Sequence, residues 1–329
     1  MTAKDCARTR VGIIGCSSIA RRRFLPALIG SDKAALAIIG SRERAKAKQM
    51  ADSFHCADYG SYDDVIHSDD VDLVYISTPP TERKHLLEAA ITARKHVLCE
   101  KPILPNAGET KDVLKLAANF DVRVFENYAY LSHPQHAAVK NLLCQNLIGP
   151  VRDISVTYTY PLPPADDIRL KPELGGGVVN DSLGYPISLV NHLDGRGFSL
   201  MESCIAHSEK LGVDVSCSFR GVVGGQINVT AQVGMDEDYR SAYVITGDGG
   251  VIEVSRAFSV DENHRATVIV RTSQGREVLT MEPVNQFRMH LEDCVLALSQ
   301  RDNVAEERIM AVRTSMDEVI RSAGITLKP

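Results

Sequence analysis

Long apolar runs, an excess of basic residues and the apolar core of a secretory signal are all missing from this 329-residue sequence. No stretch reaches the roughly 18 apolar residues of a membrane-spanning helix. The first ten residues, MTAKDCARTR, have no apolar core and predict no secretory signal. Lysine and arginine total 37 against 42 aspartates and glutamates, so the overall positive field typical of nucleic-acid-binding proteins is absent. We therefore expect a cytoplasmic protein that binds neither nucleic acid nor membrane.

Paired metal-binding motifs are missing as well. The eight cysteines include no C-x-x-C pair, and the ten histidines include no H-E-x-x-H. His133 and His136 lie three residues apart, a spacing that could place both on one helix face, but the sequence suggests no third ligand. We expect no metal site and no disulfide framework, and the scattered thiols favour a reducing compartment. The cysteines are Cys6, Cys16, Cys56, Cys99, Cys144, Cys204, Cys217 and Cys294.

The first 128 residues alternate short apolar runs with segments of helical composition. This alternation is typical of βαβ units in a doubly wound parallel sheet, so residues 1–128 are predicted to form one α/β domain. In such a sheet the functional loops follow the carboxyl ends of the strands. The predicted strands are residues 10–15, 34–39, 72–76, 96–99 and 122–125, and the predicted helices are residues 19–29, 43–54, 82–94 and 108–120.

Residues 129–329 have a different rhythm and form the second predicted domain. Consecutive strand-like runs with turn signals at Asp248-Gly249 and Gln274-Gly275 predict an open, largely antiparallel sheet in an α+β domain. One face of this sheet would pack on helices and the other could meet a second copy of the chain, so we expect a homodimer or homotetramer. The predicted helices are residues 132–147, 182–193, 285–299 and 304–322, and the predicted strands are residues 151–160, 213–219, 222–233, 241–246, 250–254, 266–271 and 276–280.

The first predicted strand runs into the segment GCSSIA at residues 15–20. The dinucleotide fingerprint of a Rossmann domain is G-x-G-x-x-G/A, and here Gly15 and Ala20 match while Ser17 replaces the middle glycine. Gly15 permits the tight turn, and Ala20 lets helix and strand pack closely. A small residue at position 17 lets N–H groups of the turn, which includes Ser18 and Ile19, approach a pyrophosphate. A tight turn that binds no ligand is the alternative.

The second predicted strand ends at Gly40-Ser41-Arg42. NAD-preferring folds carry an acidic residue near this position to hold the ribose 2′-hydroxyl, and none stands here. Glu43 comes later and is expected to cap the next helix. Ser41 can donate a hydrogen bond to a 2′-phosphate and Arg42 can pair with it, so the segment favours NADP(H) over NAD(H). The alternative for Arg42 is a solvated cation at the helix start.

Two further motifs follow later strands of the predicted sheet. The strand 72–76 stops in Ser77-Thr78-Pro79-Pro80, a rigid turn, and the strand 96–99 ends in Glu100-Lys101-Pro102. The second motif places a charged pair at the carboxyl edge of a parallel sheet, where ligands bind. Taken alone, Lys101 is more often a surface lysine than a catalyst.

Together with Gly175-Gly176-Gly177, Asp181 and Gly184-Tyr185, these motifs resemble the Gfo/Idh/MocA family of oxidoreductases along essentially the whole chain. The resemblance implies a Rossmann domain and an α/β domain whose open sheet commonly forms the oligomer contact. It implies nicotinamide-dependent oxidation or reduction of carbon–oxygen bonds, mostly on sugars and cyclitols. It also places Lys101 beside the nicotinamide and the reacting carbon, implies a cis peptide bond before Pro102, and puts Asn127 on the nicotinamide side.

The chain departs from the family pattern at several positions. Ser17 replaces a glycine, Arg83 stands where many members have histidine, and Arg94 stands where many have a helix-ending glycine, which implies a left-handed arginine. Tyr185 stands four residues after Asp181, where many relatives have histidine. This Lys/Tyr pattern, with Arg169 before the glycines, resembles the branch that contains sugar-nucleotide 3-ketoreductases, glucose–fructose oxidoreductase and dihydrodiol dehydrogenase.

The resemblance defines the expected site residues, and elementary chemistry suggests their roles. Tyrosine has an unperturbed pKa near ~10, and a nearby ammonium favours its phenolate, so Tyr185 can donate the proton while Lys101 supports it. Asp181 either orients one of them or caps the helix that follows. The three glycines either let the chain pass close to a ligand or form a flexible loop. The expected catalytic residues are Lys101, Tyr185 and Asp181, and the expected cofactor-binding residues are Gly15, Ser17, Ser18, Ile19, Ala20, Ser41, Arg42, Ser77, Thr78, Pro79, Glu100, Lys101, Asn127 and Arg169.

The leading hypothesis is an NADP-dependent reductase of a keto-sugar, which could be nucleotide-linked. The enzymatic alternative is an NAD(P)-dependent dehydrogenase of a free sugar, cyclitol or dihydrodiol. An alternative from another class is a non-catalytic, NADP-sensing protein on the same fold. A proton donor such as Tyr185 is unnecessary in a sensor, so Lys101 and Tyr185 favour an enzyme.

Overall fold

The computed structural model describes residues 8–300 and 302–328, and it divides into two compact units. Unit one contains the described residues up to Leu104 together with Gly108–Ala129 and Phe287–Glu307. Unit two contains Pro105–Ala107, Tyr130–Gln286 and the described residues from Arg308 onward. Cys6 and most of the segment tested for a secretory signal lie outside the described residues. No helix within the described ranges has the length and apolarity that a bilayer crossing requires.

Unit one is built on six parallel strands in the order β3-β2-β1-β4-β5-β6. These strands are β1 (Thr9–Ile14), β2 (Ala34–Gly40), β3 (Asp58–Gly60), β4 (Leu73–Ile76), β5 (His96–Cys99) and β6 (Val124–Glu126). The strand order reverses between β1 and β4, and doubly wound sheets bind ligands beyond the carboxyl ends of the strands at such a point. The predicted Rossmann architecture is confirmed.

The helices follow the predicted positions with shorter bounds at most ends. The predicted helix 19–29 is a π-helical segment, Ala20–Phe24, that continues into a short α-helix. The helices are α1 (Leu25–Ile29), α2 (Arg44–Ser53), α3 (Tyr62–Ile66), α4 (Lys84–Thr92), α5 (Ala107–Phe120), α6 (Pro134–Cys144), α7 (Val178–Ser182), α8 (Gly184–Leu193), α9 (Gln286–Ala297) and α10 (Val304–Ser322). The sequence prediction omitted β3 and α3, because so few residues show no period. A Ser61–Asp64 capping box does mark the start of α3.

The core of unit one lies between the parallel sheet and its helices. The rings of Phe24 and Tyr75 stack with centroids 3.5 Å apart, and Leu98 and Phe125 are buried in the same cluster. Leu291 of α9 is also fully buried in this cluster, so α9 belongs to the core of unit one. Complete burial of each such side chain contributes roughly 1.5–3 kcal/mol, which fixes the sheet that carries the site loops.

Unit two is built on nine strands in the order β14-β13-β12-β11-β7-β10-β9-β8-β15. They are β7 (Val151–Tyr160), β8 (Phe198–Ser208), β9 (Val213–Val223), β10 (Ile227–Met235), β11 (Arg240–Gly247), β12 (Gly250–Ser255), β13 (Thr267–Thr272), β14 (Gly275–Thr280) and β15 (Gly324–Lys328). Neighbours are antiparallel except β7 with β10 and β8 with β15, which confirms a largely antiparallel sheet. The single predicted strand 222–233 is wrong, because the chain turns at Gly224-Gly225, both with positive φ.

The sheet of unit two has one covered and one open face. Along β10, Val229, Ala231 and Val233 are buried, while the alternate residues are exposed. The helix α7 packs on β9 and β10, and α8 packs on β7. On the open face, Ser218, Thr230 and Gln232 help line a depression of about 540 Å³.

Candidate active site

The turn after β1 is closed by a chain of hydroxyl groups. Gly15 has a φ of +101°, and a Cβ there would lie 3.1 Å from Ser77 Oγ. Ser17 Oγ accepts a hydrogen bond from the Ala20 N–H (3.1 Å) and donates to Ser77 Oγ (2.8 Å), which donates to the Gly15 carbonyl (3.0 Å). Ser17 therefore caps the following helical segment and ties the β1 turn to the end of β4, a function that a glycine could not perform.

The exposed Ser18 and the half-buried Ile19 complete the β1 turn. After β4, Thr78 is buried, and its Oγ1 has no hydrogen-bond partner among the described residues. A buried hydroxyl without a partner costs free energy unless a ligand or water satisfies it. The half-buried Pro79 follows and leads into a 3₁₀ turn at Pro80–Glu82.

The end of β2 carries Ser41 and Arg42. The buried Ser41 Oγ accepts a hydrogen bond from the Glu43 N–H at 3.2 Å, and Arg42 Nη1 lies 3.0 Å from Glu82 Oε1. Glu43 occupies the N-cap position of the next helix, as predicted. Its carboxylate pairs with the exposed Lys46 and makes no cap hydrogen bond.

Sequence reasoning missed two further cations beside the end of β2. Burial raises the pKa of the Cys16 thiol, while Arg21 and Lys46 act in the opposite direction, so both cations lie within electrostatic reach of Cys16. The Cys16 thiol also hydrogen-bonds with Ser41. Arg21 therefore adds a cation beside Ser41 and Arg42, whereas the charge of Lys46 is offset by its ion pair with Glu43.

The Glu-Lys-Pro motif begins with a fixed carboxylate at the end of β5. Glu100 is buried, and its Oε1 accepts hydrogen bonds from the Tyr75 hydroxyl (2.7 Å) and the Asn127 side-chain amide (2.5 Å). Burial, reinforced by the Glu100 charge, raises the pKa of Tyr75 well above its usual value, so Tyr75 is a neutral donor. Lys101 follows directly, half-buried, and the Lys101–Pro102 peptide bond is cis, as the resemblance implied.

A buried arginine reaches the same segment. Arg83 is 4% exposed, and its guanidinium donates to the carbonyl oxygens of Thr78 (2.8 Å), Glu100 (2.5 Å) and Pro102. Arg83 stands out in the sequence as a departure from the family pattern, but the sequence holds no signal for these contacts. Arg94, another departure from the family pattern, follows the end of α4 and has a φ of +59°, the left-handed conformation that its position implied.

In unit two, Tyr185 lies in the first turn of α8 within an aromatic cluster. Its ring centroid lies 4.8 Å from that of Tyr158, 5.3 Å from Phe258 and 5.6 Å from Tyr130. Its carbonyl oxygen accepts hydrogen bonds from the Tyr130 hydroxyl and Ser188 Oγ, both at 3.1 Å. Packing and backbone contacts together fix the direction of the half-buried Tyr185 side chain.

Asp181 lies inside α7, whose N-cap position is Gly177, and α8 is preceded by Leu183. The alternative that Asp181 caps the following helix is therefore wrong. Its carboxylate accepts a hydrogen bond from the Tyr160 hydroxyl at 2.7 Å and lies 3.2 Å from Arg169 Nε. The guanidinium of Arg169 also stacks over the Tyr160 ring at 5.4 Å. Burial and the Asp181 charge raise the pKa of Tyr160, so a tyrosine that the sequence analysis missed holds Asp181 as a neutral donor.

Two of the three glycines, Gly176 and Gly177, are required by the chain's own packing. A Cβ on Gly176 would lie 2.8 Å from the carbonyl oxygens of Arg169 and Lys171, and one on Gly177 would collide with Asp214. The Asp214 carboxylate accepts a hydrogen bond from the Val179 N–H at 2.6 Å, so it holds the start of α7. Because Gly176 and Gly177 have fixed neighbours, the segment that leads to Asp181 is not simply a flexible loop.

The histidine pair is part of the core of unit two. His136 is fully buried, with Nδ1 3.1 Å from the Tyr243 hydroxyl and Nε2 3.0 Å from the Ala257 carbonyl oxygen. Burial lowers the pKa of His136 to about 3. His133 caps α6 by accepting a hydrogen bond from the Gln135 N–H. The ranges 8–300 and 302–328 contain no cluster of side chains suited to a metal ion.

Two family models match the chain. The model described as "Oxidoreductase family, NAD-binding Rossmann fold" (GFO_IDH_MocA) matches residues 9–128, and the "GFO/IDH/MocA C-terminal domain" model matches residues 136–253.

Curated relatives and solved structures extend the similarity to nearly the whole chain. The dTDP-3,4-didehydro-2,6-dideoxy-alpha-D-glucose 3-reductase of Streptomyces antibioticus is 30% identical over 89% of this chain and 89% of its own. The D-xylose 1-dehydrogenase (NADP(+)) 2 of Haloferax volcanii is 30% identical over 95% and 96%. The crystal structure of KijD10, a 3-ketoreductase from Actinomadura kijaniata in complex with NADP and TDP-benzene, has 26% identity and a TM-score of 0.94, covering 98% of this chain and 100% of KijD10.

Proposed function

Because the chain belongs to the Gfo/Idh/MocA family of oxidoreductases, we propose that it reduces a keto group of a nucleotide-linked sugar with hydride from NADPH. One observation carries this proposal: the similarity to dTDP-sugar 3-reductases and to the NADP- and TDP-benzene-bound KijD10 extends through both units. The relatives described above are oxidoreductases, and the chain keeps the Lys101 and Tyr185 that a sensor would not need, so an enzyme is favoured over a sensor.

Residues of unit one fit a dinucleotide cofactor. At Gly15 a side chain would crowd Ser77 and Thr78, and at Thr78 a buried Oγ1 has no partner among the described residues. An open turn and an unsatisfied hydroxyl at the carboxyl ends of β1 and β4 suit a bound nicotinamide nucleotide. In this proposal the N–H groups of the β1 turn hold the pyrophosphate, while Asn127 and Pro79 flank the nicotinamide side.

The preference for NADPH is assigned to the end of β2. Ser41 and Arg42 stand where NAD-preferring folds carry an acidic side chain, and Arg21 adds positive charge nearby. A 2′-phosphate carries negative charge that this group of donors would neutralise. Arg169 is assigned to the cofactor as well, with its direction set by Asp181 and Tyr160.

Lys101 and Tyr185 are assigned to the chemical step. KijD10 has also been crystallised with a lysine replaced by alanine or glutamate and with a tyrosine replaced by phenylalanine. The two residues substituted there are separated by the same number of positions as Lys101 and Tyr185, which supports this assignment. Asp181 is assigned an orienting role, because its carboxylate is held by the Tyr160 hydroxyl and Arg169.

The proposed chemical step is the reduction of a carbonyl group to an alcohol. The bound cofactor supplies a hydride to the carbonyl carbon. As the C=O π bond opens, the Tyr185 hydroxyl gives its proton to the carbonyl oxygen, and the product is an alcohol. The Lys101 ammonium is assigned to stabilising the negative charge that develops on that oxygen. Solvent then returns a proton to Tyr185.

The open face of the unit-two sheet is proposed as the contact of a homodimer or homotetramer. This face is broad, and small polar side chains such as Ser218 and Thr230 line it, which suits close packing of two sheets. We also assign the enzyme to the cytoplasm. The seven cysteines that the structure describes are thiols and not disulfides, which suits a reducing compartment.

The test is turnover with two matched substrates. The protein is incubated with NADPH and dTDP-3,4-didehydro-2,6-dideoxy-α-D-glucose, and loss of the reduced nicotinamide absorbance is followed. D-xylose with NADP⁺ is the second arm, because a D-xylose dehydrogenase is also 30% identical. Turnover of the dTDP-sugar, with Tyr185→Phe losing on the order of 10²–10⁴ in kcat and keeping NADPH binding, would support the proposal. Turnover of D-xylose alone would overturn it in favour of a free-sugar dehydrogenase.

A further inference from the structure

The buried Arg83 guanidinium has no catalytic role assigned to it, yet it contacts the segment on both sides of Lys101. Its Nη1 donates to the carbonyl oxygens of Glu100 and Pro102, the residues that directly precede and follow Lys101. Its Nε donates to the carbonyl oxygen of Thr78, which follows β4. One planar group therefore links the loop after β4 to both flanks of the lysine.

Burying a guanidinium is costly unless its donors are satisfied. Arg83 is 4% exposed, and its contacts are backbone carbonyl oxygens together with the nearby charge of Glu100. Burial raises the pKa of Tyr75 well above its usual value; the Glu100 charge raises it too, and the Arg83 charge lowers it, so both charges lie near Tyr75. The Arg83 donors are directed at backbone carbonyl oxygens beside Lys101, whereas an arginine in a surface salt bridge directs its donors at a carboxylate.

The geometry of arginine explains why this residue suits the position. Its donors form a rigid fork, so fixing the side chain through Thr78 also fixes the direction in which Nη1 points at Glu100 and Pro102. A histidine, which many family members have here, offers at most two ring nitrogens and could not hold all three carbonyl oxygens. A lysine keeps the charge but presents its donors from a single point on a flexible stem.

We propose that Arg83 is the positioning residue of Lys101, which it holds by clamping the carbonyl groups on either side of it. The inference rests on the proposed catalytic assignment of Lys101. Misplacement of a reacting group by about 1 Å can cost on the order of 10²-fold in rate, so loosening these flanks is expected to act on kcat.

The test compares Arg83→Met and Arg83→Lys with the wild type, using NADPH and dTDP-3,4-didehydro-2,6-dideoxy-α-D-glucose. We expect kcat to fall on the order of 10²-fold in Arg83→Met and about tenfold in Arg83→Lys. The KM for the sugar is expected to stay within about threefold, since the clamp contacts backbone and not substrate. The Kd for NADPH is measured separately, because Arg83 also holds the carbonyl oxygen of Thr78. A purely structural role would lower the melting temperature without this separation of kcat from KM.

Arg123→Met is the matched control in the same unit. Arg123 is also partly buried, donates to the carbonyl oxygens of Ala297 and Gln300, and pairs with Glu306, but it precedes β6 at the amino edge of the sheet. We expect Arg123→Met to lower the melting temperature and leave kcat within about threefold, because no site segment depends on it.

The outcomes separate the inference from the function on which it rests. If Lys101→Ala keeps full activity, the catalytic assignment fails and the clamp has no role. If Lys101→Ala is inactive while folded Arg83→Met turns over at the wild-type kcat, the clamp alone is wrong. Should Arg83→Met not fold, Arg83→Lys decides: a wild-type kcat there overturns the proposal, and a loss of kcat with unchanged KM supports it.

Discussion

The Tyr75 hydroxyl donates a 2.7 Å hydrogen bond to the Glu100 carboxylate, and both side chains are buried in unit one. Tyr75 is the third residue of β4, and its ring stacks on Phe24. This stacking fixes the direction in which the hydroxyl points at Glu100. Asn127 supplies a second donor to the same Glu100 oxygen. The Glu100 carboxylate therefore links the ends of three neighbouring strands, β4, β5 and β6. Lys101 is the next residue along the chain.

Tyr75→Phe should destabilise the fold while leaving the ring stacking in place. The change removes one of the two donors to a buried carboxylate, and a loss of this kind costs roughly 1–3 kcal/mol. The measurement is urea unfolding of the wild type and the variant. Tyr59→Phe is the matched control, because Tyr59 is only half-buried and its ring faces Arg44 and Lys48. Equal stabilities of the Tyr75 and Tyr59 variants would contradict the role given to the Glu100 contact.

The strands that carry the site motifs can be predicted from sequence patterns alone. The bounds of β5, β7 and α10 agree with the predicted ranges, because each is a continuous apolar run or a long periodic segment with clear ends. Very short elements such as β3 lack a period, and β15 pairs with β8 more than a hundred residues away, so neither is visible locally.

The candidate site residues can be predicted from motifs in the sequence, but the residues that hold them in place cannot. Tyr75, Arg83 and Asp214 act through contacts with residues 17 to 35 positions away. Such contacts are made by the topology of the sheet, and one sequence holds no periodic signal for them. The same reason explains why Asp181 could be mistaken for a helix cap: its partner Tyr160 lies at the end of β7.

Gly177→Ala should destabilise unit two more than an equivalent change elsewhere. Gly177 has a φ of +102°, and a Cβ there would collide with the Asp214 carboxylate that holds the start of α7. Gly197→Ala is the control, since Gly197 also has a positive φ of +89° but open space around it. Both variants bear about 1–2 kcal/mol of backbone strain, and overpacking adds about 1–3 kcal/mol at Gly177. Chemical denaturation of both variants should show this difference; similar losses would mean that Asp214 moves aside freely.

Stability should fall as the pH drops below 6.5, with His136 as a main cause. Burial lowers the pKa of His136 from 6.5 to about 3, so below pH 6.5 the unfolded chain binds a proton that the folded chain does not. This depressed pKa gives a stability contribution that is present above pH 6.5 and is lost progressively toward pH 3. Between pH 7 and pH 5 the loss from this one group is about 2 kcal/mol.

The measurement is urea unfolding of the wild type and His136→Gln at pH 7 and pH 5. The variant is less stable at both values, but its loss between them should be smaller by about 2 kcal/mol. His133 and His192, whose pKa values burial lowers to about 4, remain in both proteins and cancel in the comparison. His85→Gln, at an exposed position of α4, is the control and should lose the same free energy of unfolding between pH 7 and pH 5 as the wild type. Parallel pH profiles for wild type and His136→Gln would rule out the assignment.

Glu82→Gln should tighten the binding of NADPH and leave NADH unaffected. Arg42 Nη1 lies 3.0 Å from Glu82 Oε1, so the carboxylate competes with a 2′-phosphate for the guanidinium assigned to it. Arg42 is two-thirds exposed, and exposed ion pairs contribute only about 0.2–1 kcal/mol, so releasing it should lower the Kd for NADPH by about 1.5- to 5-fold. Fluorescence titration with each cofactor measures both constants.

Arg42→Ser provides the opposite change at the same ion pair. It should raise the Kd for NADPH by about tenfold or more, which is the scale of a lost charge-assisted hydrogen bond. The Kd for NADH should again stay unchanged. In the Arg42→Ser background the Glu82→Gln change should no longer improve NADPH binding, because Glu82 acts through Arg42. If Glu82→Gln improves both cofactors equally, or still improves NADPH without Arg42, the 2′-phosphate does not contact this ion pair and the cofactor preference arises elsewhere in unit one.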